Sequence, residues 1–274
     1  MKISQARRGL RLAKRNREWL ASPLPIKVKL AYYPSIVSAY IGLAASGKKV
    51  VRYLGKPFYF DNPATPLNLQ IYAYEIGVKI LANMSTRPRR VLDVGANIGQ
   101  FARTFAYLIP DCEIDCIEPN VSIFDLLKMN ADNGVRFFDC ALGSKQGPAT
   151  FYYESDRSAI GSFLPGNAGA SDRLKAVTVR VESDVAELTG CSQYDLVKID
   201  VEGSEFDVLP ALHGLSIKYL YIEVSCGARG TMSTDAQLYR QILSSLGDFN
   251  VVYSSGLSSA STTYDVLIEF GARP

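Results

Sequence analysis

Apolar positions in the last two-thirds of the chain switch repeatedly between two spacings. Short apolar runs predict strands at 91–94, 113–118, 135–138, 195–200 and 218–224. Between them, helical spacing predicts helices at 98–108, 121–132, 204–213 and 235–246, the first with Phe101, Phe105 and Leu108 on one face. Strands alternating with helices imply an α/β fold, with a parallel sheet covered on both faces. Two last strands, 249–254 and 263–270, joined by SSGLSSAST, are predicted to pair antiparallel. A further pair, about 148–153 and 176–182, encloses the polar stretch ESDRSAIGSFLPGNAGASDRLK. So long a loop in a compact domain is either disordered or a substrate lid, and the lid is the favoured reading.

Upstream the pattern is less regular. Residues 50–60 alternate as a strand or short hairpin, and 61–66 read as a loop with two prolines. A helix is predicted from about Leu69 to Ala82, with Ile71, Tyr74, Val78 and Leu81 on one face. Lys29 and Lys48 bracket 18 uncharged residues, but Pro34, serines and tyrosines dilute them. A packed helix, or one lying against a membrane surface, is expected there rather than a span. Residues 1–55 thus read as a basic arm with a helical extension. Residues 56–274 read as one domain whose core begins near 88, with a lid-like insertion at 148–182.

Composition is that of an ordinary globular chain of 274 residues, 47% hydrophobic and 21% charged. The net charge of +3 hides an asymmetry: residues 1–29 carry nine Lys or Arg against Glu18, about +8, leaving −5 elsewhere. Residues 1–22 interleave Arg7, Arg8, Arg11, Lys14, Arg15 and Arg17 with Leu10, Leu12, Trp19 and Leu20. That rough amphipathic pattern suits peripheral contact with an anionic membrane, or else a solvated terminus. No basic-aromatic pattern continues downstream, so nucleic acid is not expected as a partner. Five cysteines lack any C-x-x-C pair and no secretory pattern opens the chain, which points to a reduced, cytoplasmic setting, at most peripheral to the membrane's inner face. His213 is the only histidine and the cysteines are scattered, so neither a Ser-His-Asp or Cys-His mechanism nor a zinc site is expected.

Two segments carry candidate chemistry. In VLDVGANIGQF, 91–101, an apolar run reaches Asp93 and a turn with Gly95 and Gly99 opens a helix. Glycines there let a ligand meet bare main chain, and the helix's free N–H groups point at it. Asp93 offers a carboxylate to an ammonium group. Glu118, nineteen residues past Gly99, stands at the next strand's tip, where an acid accepts hydrogen bonds from ribose hydroxyls. The dinucleotide pattern G-x-G-x-x-G is broken at Asn97 and Gln100, and no Tyr-x-x-x-Lys pair accompanies the turn, which argues against a nicotinamide-dependent dehydrogenase. The second segment, DLVKIDVEGSEF at 195–206, brings Lys198, Asp200 and Glu202 to a strand end, with Gly203 turning into a helix capped by Ser204. Glu223, in the next strand, lies alongside. Three carboxylates near a strand tip suit either of two roles. Asp200 serves as general base with Glu202 or Glu223 orienting, or the three hold a divalent ion that binds and acidifies sugar hydroxyls. Lys198 neutralises these acids or touches substrate, and Glu205 reads as a surface or capping residue.

The spacing D-x-G-x-N-x-G is that of S-adenosylmethionine-dependent methyltransferases. Together, VLDVGANIGQF, KIDVEGSEFDVL and YIEVS resemble the FkbM-type methyltransferases, over about residues 56–254. CALGS, 140–144, and VESDVAELTG, with Asp184 at the usual acid, are similar to further segments of that family. The resemblance implies a doubly wound, mostly parallel seven-stranded sheet of Rossmann-like type. It implies S-adenosylmethionine held by Asp93, Gly95, Ala96, Asn97, Gly99 and Glu118, with Asp139 at the adenine. It also implies methylation of a hydroxyl oxygen on a carbohydrate, glycolipid or related natural product, free or lipid-linked. Pro210-Ala211 departs from the family's usual Gly-Ala, and the basic arm lies outside the shared region. The alternative reading is a non-catalytic cofactor-binding module tethered by that arm to a membrane or complex.

Overall fold

The computed structural model describes residues 16–154, 157–163, 174–225, 243–244, 246–255 and 263–271. Helix α1 (Ile26–Ser46) ends on Gly47, whose left-handed φ of +69° lets its N–H close back onto Leu43. Strands β1 (Val50–Tyr53) and β2 (Lys56–Tyr59) form a hairpin, so residue 55 lies in its turn. Helix α2 (Thr65–Tyr74) runs on into a π-helical stretch, Glu75–Ile80. The core begins with β3 (Arg90–Val94), α3 (Gln100–Leu108), β4 (Glu113–Ile117), α4 (Val121–Asn130) and β5 (Val135–Phe138). Next come β6 (Ala141–Leu142), β7 (Gly147–Glu154), β8 (Arg157–Ser162) and β9 (Leu174–Glu182). The chain continues through α5 (Val185–Thr189), β10 (Gln193–Ile199), α6 (Glu205–Val208), β11 (Ser216–Ser225), β12 (Phe249–Ser254) and β13 (Thr263–Phe270).

Seven strands make one sheet in the order β12-β13-β11-β10-β3-β4-β5. The strands from β11 to β5 are parallel, and β13 pairs antiparallel with both β11 and β12. From β3 the chain winds one way through β4 and β5, then the other way through β10 and β11. The reversal therefore falls between β3 and β10, where α/β folds open a crevice at the strands' carboxyl ends. A second sheet, β6-β9-β7-β8, stands beside it.

Alternation along the strands sorts the interior. Leu92, Val94, Val197 and Ile199 face one core with Leu209 and Leu212. Val91, Leu196, Tyr219, Tyr221 and Leu267 face the other, under Ile76, Ile80 and Phe105. With a period of two, Asp93, Lys198, Asp200, Glu223 and Asp265 share that second face. The upstream chain adds a third cluster, in which Trp19, Tyr32, Tyr53 and Phe58 pack against Ile98 and Ile123. Trp19 is fully buried and donates its indole N–H to the Lys29 carbonyl, so it belongs to a core and not to the arm's surface pattern.

The predicted strands, and the helices predicted at 98–108 and 121–132, are present within two residues. Four expectations are corrected. Helix α2 begins at Thr65, because Pro66 fits a first turn where no N–H is needed. Its buried side is Leu69, Gln70, Ala73, Ile76 and Ile80, not the face of Ile71, Tyr74, Val78 and Leu81. The helix expected at 204–213 is one α-turn and then a 3₁₀ turn, Leu209–Leu212, consistent with Pro210 withholding a donor. The expected lid loop contains β8, paired to β7. Residues 164–173 of that loop, most of the 235–246 helix and residues 1–15 of the arm lie outside the described residues. Among the described residues no helix is long and apolar enough to cross a membrane.

Candidate functional site

The tips of β3 and β10 are locked together. Asp200 donates its N–H to Val94 O at 3.2 Å, and Lys198 Nζ donates to Gly95 O at 3.0 Å. Gly95 has φ +77°, and a Cβ on it would lie 2.0 Å from the Asp200 carbonyl oxygen. Gly99 has φ +86°, with Leu127 Cδ1 3.1 Å from where its Cβ would be. Both glycines are thus demanded by turn shape and by neighbouring protein. The missing side chains serve the protein's own packing, while the Gly95 main chain stays open to the cleft.

Glu118 closes the turn from the other side. Its Oε2 accepts from Asn97 N and its Oε1 from Asn120 N, each at 2.8 Å. Burial pushes its carboxyl up to about 7, and those two amide bonds oppose the shift. Each oxygen keeps lone-pair capacity for a further donor. Asn97 itself sits at φ +52°, a conformation asparagine tolerates, with Oδ1 accepting from Ile98 N.

A cleft of about 840 Å³, mouth included, opens over this turn. Main chain at Gly95, Ala96 and Asn97, with Glu118, lines one side, and Phe101, Leu142, Phe151 and Phe163 give apolar walls. Glu202, at φ +50°, and Ser204 complete it, the Ser204 hydroxyl being buried with no hydrogen-bond partner among the described residues. A second cavity, about 670 Å³, shares Tyr72, Phe101, Lys198 and Asp200 with the cleft. Beyond them it is walled by Glu75, Lys79, Tyr221, Glu223 and Asp265. Asp200 therefore stands at the junction of the two spaces.

The candidate residues divide between these spaces and the protein around them. Ala96, Asn97, Gly95, Glu118, Lys198, Asp200 and Glu202 line the cleft, and Glu223 lines the second cavity. Asp93 lines neither: it is fully buried and faces Lys198, its Oδ1 3.0 Å from Nζ. Burial raises its pKa and the Lys198 charge opposes that rise. The ammonium that Asp93 meets is thus the protein's own. Burial alone would lower Lys198, but Asp93 and Asp200 more than offset it and hold the ammonium above its usual range. Asp200 Oδ2 lies 3.5 Å from that same Nζ. Asp139 is exposed, 3.5 Å from Arg180, and is not part of the cleft wall. Asp184 is an exposed N-cap, accepting from Glu187 N. Glu205, expected at the surface or as a cap, is buried and braces the turn by accepting from Gly203 N and Ser225 Oγ.

The divalent-ion reading does not fit. Among the described residues no group of three His, Cys, Asp or Glu is placed to hold a metal. The Asp200 carboxylate instead faces the Lys198 ammonium, and Lys79 bridges Asp265 at 2.7 Å and Glu75 at 3.3 Å.

Tyr72, Glu75, Lys79 and Asp265 join the site without belonging to either sequence motif. They come from α2, its π-helical extension and β13, far along the chain from both. The one signal the sequence offers is a charged pair, Glu75 and Lys79, four residues apart in an apolar helix.

Burial, then Asp200 and Asp265, push Glu223 up to about 9, and burial with Asp200 and Glu205 pushes Glu202 up to about 7. A carboxyl raised on folding contributes stability that is fully present below about pH 4.3 and is lost as pH rises through the folded value. The ligand-free protein should therefore lose stability between pH 5 and 9. Glu223→Gln should flatten that loss and melt higher than wild type near pH 8. Melting curves at pH 5, 7 and 9 check this, and parallel profiles for both proteins would refute it.

The architecture and paired tips define a nucleotide-cofactor class of α/β protein. Residues 93–249 match the model of the methyltransferase FkbM domain, more than half of the chain, and the protein belongs to that family. It is similar to Methyltransferase 1 of Beauveria bassiana, 26% identical over 203 residues, covering 64% of this chain and 80% of that protein. Methyltransferase sdnD of Sordaria araneosa is 30% identical over 161 residues, 47% of this chain and 62% of its own length. Among solved structures, the Methanococcus jannaschii fibrillarin pre-rRNA processing protein overlaps with a TM-score of 0.46 at 11% identity, over 82% of this chain and 83% of that one.

Proposed function

We propose that this methyltransferase uses S-adenosylmethionine to methylate a hydroxyl oxygen on a carbohydrate, glycolipid or related natural product. The observation that carries the reading is the position of Asp200, lining both the cleft and the second cavity. The cleft suits the cofactor: main chain and Glu118 for a ribose, apolar walls for a flat base, and an unpaired buried hydroxyl at Ser204. When bound, S-adenosylmethionine supplies an electrophilic methyl group on a positively charged sulfur.

The second cavity suits the acceptor. Its carboxylates, tyrosine hydroxyl and Lys79 offer both acceptors and donors to a polyhydroxylated molecule. A hydroxyl is a weak nucleophile while it keeps its proton, so a carboxylate at the junction has a task, and Asp200 is assigned it. Lys198 stays an ammonium and cannot act as base. It ties Asp200 to Asp93 and to Gly95 O, which fixes the carboxylate's place.

The test supplies methyl-labelled S-adenosylmethionine with panels of free sugars, glycolipids and polyhydroxylated natural products. Label in an acid-stable ether on one of them is the expected result. Label appearing only on nitrogen or carbon would reject O-methylation.

A further inference from the structure

Helix α1 is apolar on two opposite sides. Tyr32, Ile36 and Ala39 are buried against the upstream aromatic cluster. Ile26, Leu30, Tyr33, Val37 and Ile41, spaced by four, three, four and four, stand in one stripe on the other side. Ile26, Leu30, Val37 and Ile41 are 59–63% exposed, and Leu20 just upstream is 56% exposed. Six of the nine large apolar side chains exposed among the described residues fall between Leu20 and Ile41, so this is a patch and not scatter. From Ile26 to Ile41 it runs about 22 Å at 1.5 Å per residue.

The charge around it has one sign. Residues 19–60 contain no Asp or Glu. Residues 1–60 hold thirteen Lys or Arg and one acid, about +12, against +3 for the whole chain, so the remainder is −9. Lys29 is turned inward, its ammonium donating to the carbonyls of Leu20 and Ser22. Lys27, Lys48, Lys49 and Arg52 are exposed. Lys48 and Arg52, with Ser35 and Ser38, line a shallow cleft beside α1. An exposed apolar stripe on a segment whose ionised side chains are all cations matches the acyl boundary and anionic headgroups of a lipid leaflet, whereas Ser35 lies on the far side of the helix, bonded to the Arg52 carbonyl.

We propose that the exposed face of α1, from Leu20 to Ile41, docks on an anionic bilayer surface. The helix lies along the surface and does not cross it. Because α1 packs on α2, docking would put the Tyr72 and Glu75 wall of the second cavity one helix away from lipid.

The test is flotation of the full-length protein with vesicles of phosphatidylcholine alone, or with about 30% phosphatidylglycerol. Wild type should float with the anionic vesicles and much less with neutral ones. Leu30→Glu with Val37→Glu should weaken binding at least ~10-fold, since both side chains leave the apolar contact. Both positions are exposed, so the melting temperature should not move. Lys48→Glu with Arg52→Glu should reduce binding to anionic vesicles alone. Wild-type binding by the stripe variant would overturn the assignment, as would failure of wild type to float. Light scattering adds a third outcome: a dimer that becomes a monomer in the stripe variant, with no flotation of either, would make the face a self-contact and reject the proposal.

Discussion

Asp200→Asn should lower the rate of methyl transfer by about 10²–10⁴, the range for a lost general base, with cofactor affinity within a few-fold of wild type. The substitution keeps the side chain's size and leaves Lys198 its contacts with Asp93 and Gly95 O. What it removes is a basic oxygen where the cleft meets the second cavity. An effect on rate without one on cofactor binding separates proton removal from site collapse. Undiminished turnover would reject Asp200 as the base. A large loss of cofactor affinity would instead make it a structural part of the cleft.

Lys198→Met should destabilise the fold by about 3–5 kcal/mol, the cost of stranding one partner of a buried pair. Asp93 is fully buried, and Lys198 is its only ion-pair partner among the described residues. The melting temperature should fall on the order of 10 °C in a chain this size. Lys198 itself stays charged in this range, but its loss lets the Asp93, Glu118 and Glu202 carboxyls rise further, so the deficit should be smaller at pH 6 and grow toward pH 8. Adding Asp93→Asn should recover most of the loss, because the stranded charge is gone. Melting of Lys198→Met within 2 °C of wild type, a bound set by ordinary surface effects of about 0.5 kcal/mol, would contradict the buried pair.

Both outcomes turn on a face that the sequence shows only in part. The central strands are legible because they are short runs buried on both sides, and β13, second from the sheet's edge, shares that buried run, while β12 at the edge is the more exposed strand. Asp93, Lys198, Asp200 and Glu223 are legible as strand-tip residues near a glycine turn. Partner choice is not. That Asp93 answers Lys198 comes from parallel register, residue 93 opposite residue 198, which no local pattern encodes. Glu118 reads in sequence as a free acid for a ligand, yet two backbone amides from different turns converge on it. The α2 wall escapes periodicity because an even helical pattern assumes 3.6 residues per turn. The π-helical stretch at Glu75–Ile80 changes that phase, leaving Ile76 and Ile80 in the core and Glu75 and Lys79 at the cavity. Asp139 suits an adenine by its place before CALGS, but its side chain turns outward to Arg180.

A cofactor site in the cleft over the β3–β10 tips is the claim on which the rest depends. Calorimetry with S-adenosylhomocysteine tests it without any acceptor. Wild type should bind one equivalent, and Glu118→Ala, checked for an intact melting transition, should bind more weakly by ~1–3 kcal/mol, roughly 5- to 150-fold. No binding by wild type, or equal affinity in the two proteins, would contradict it.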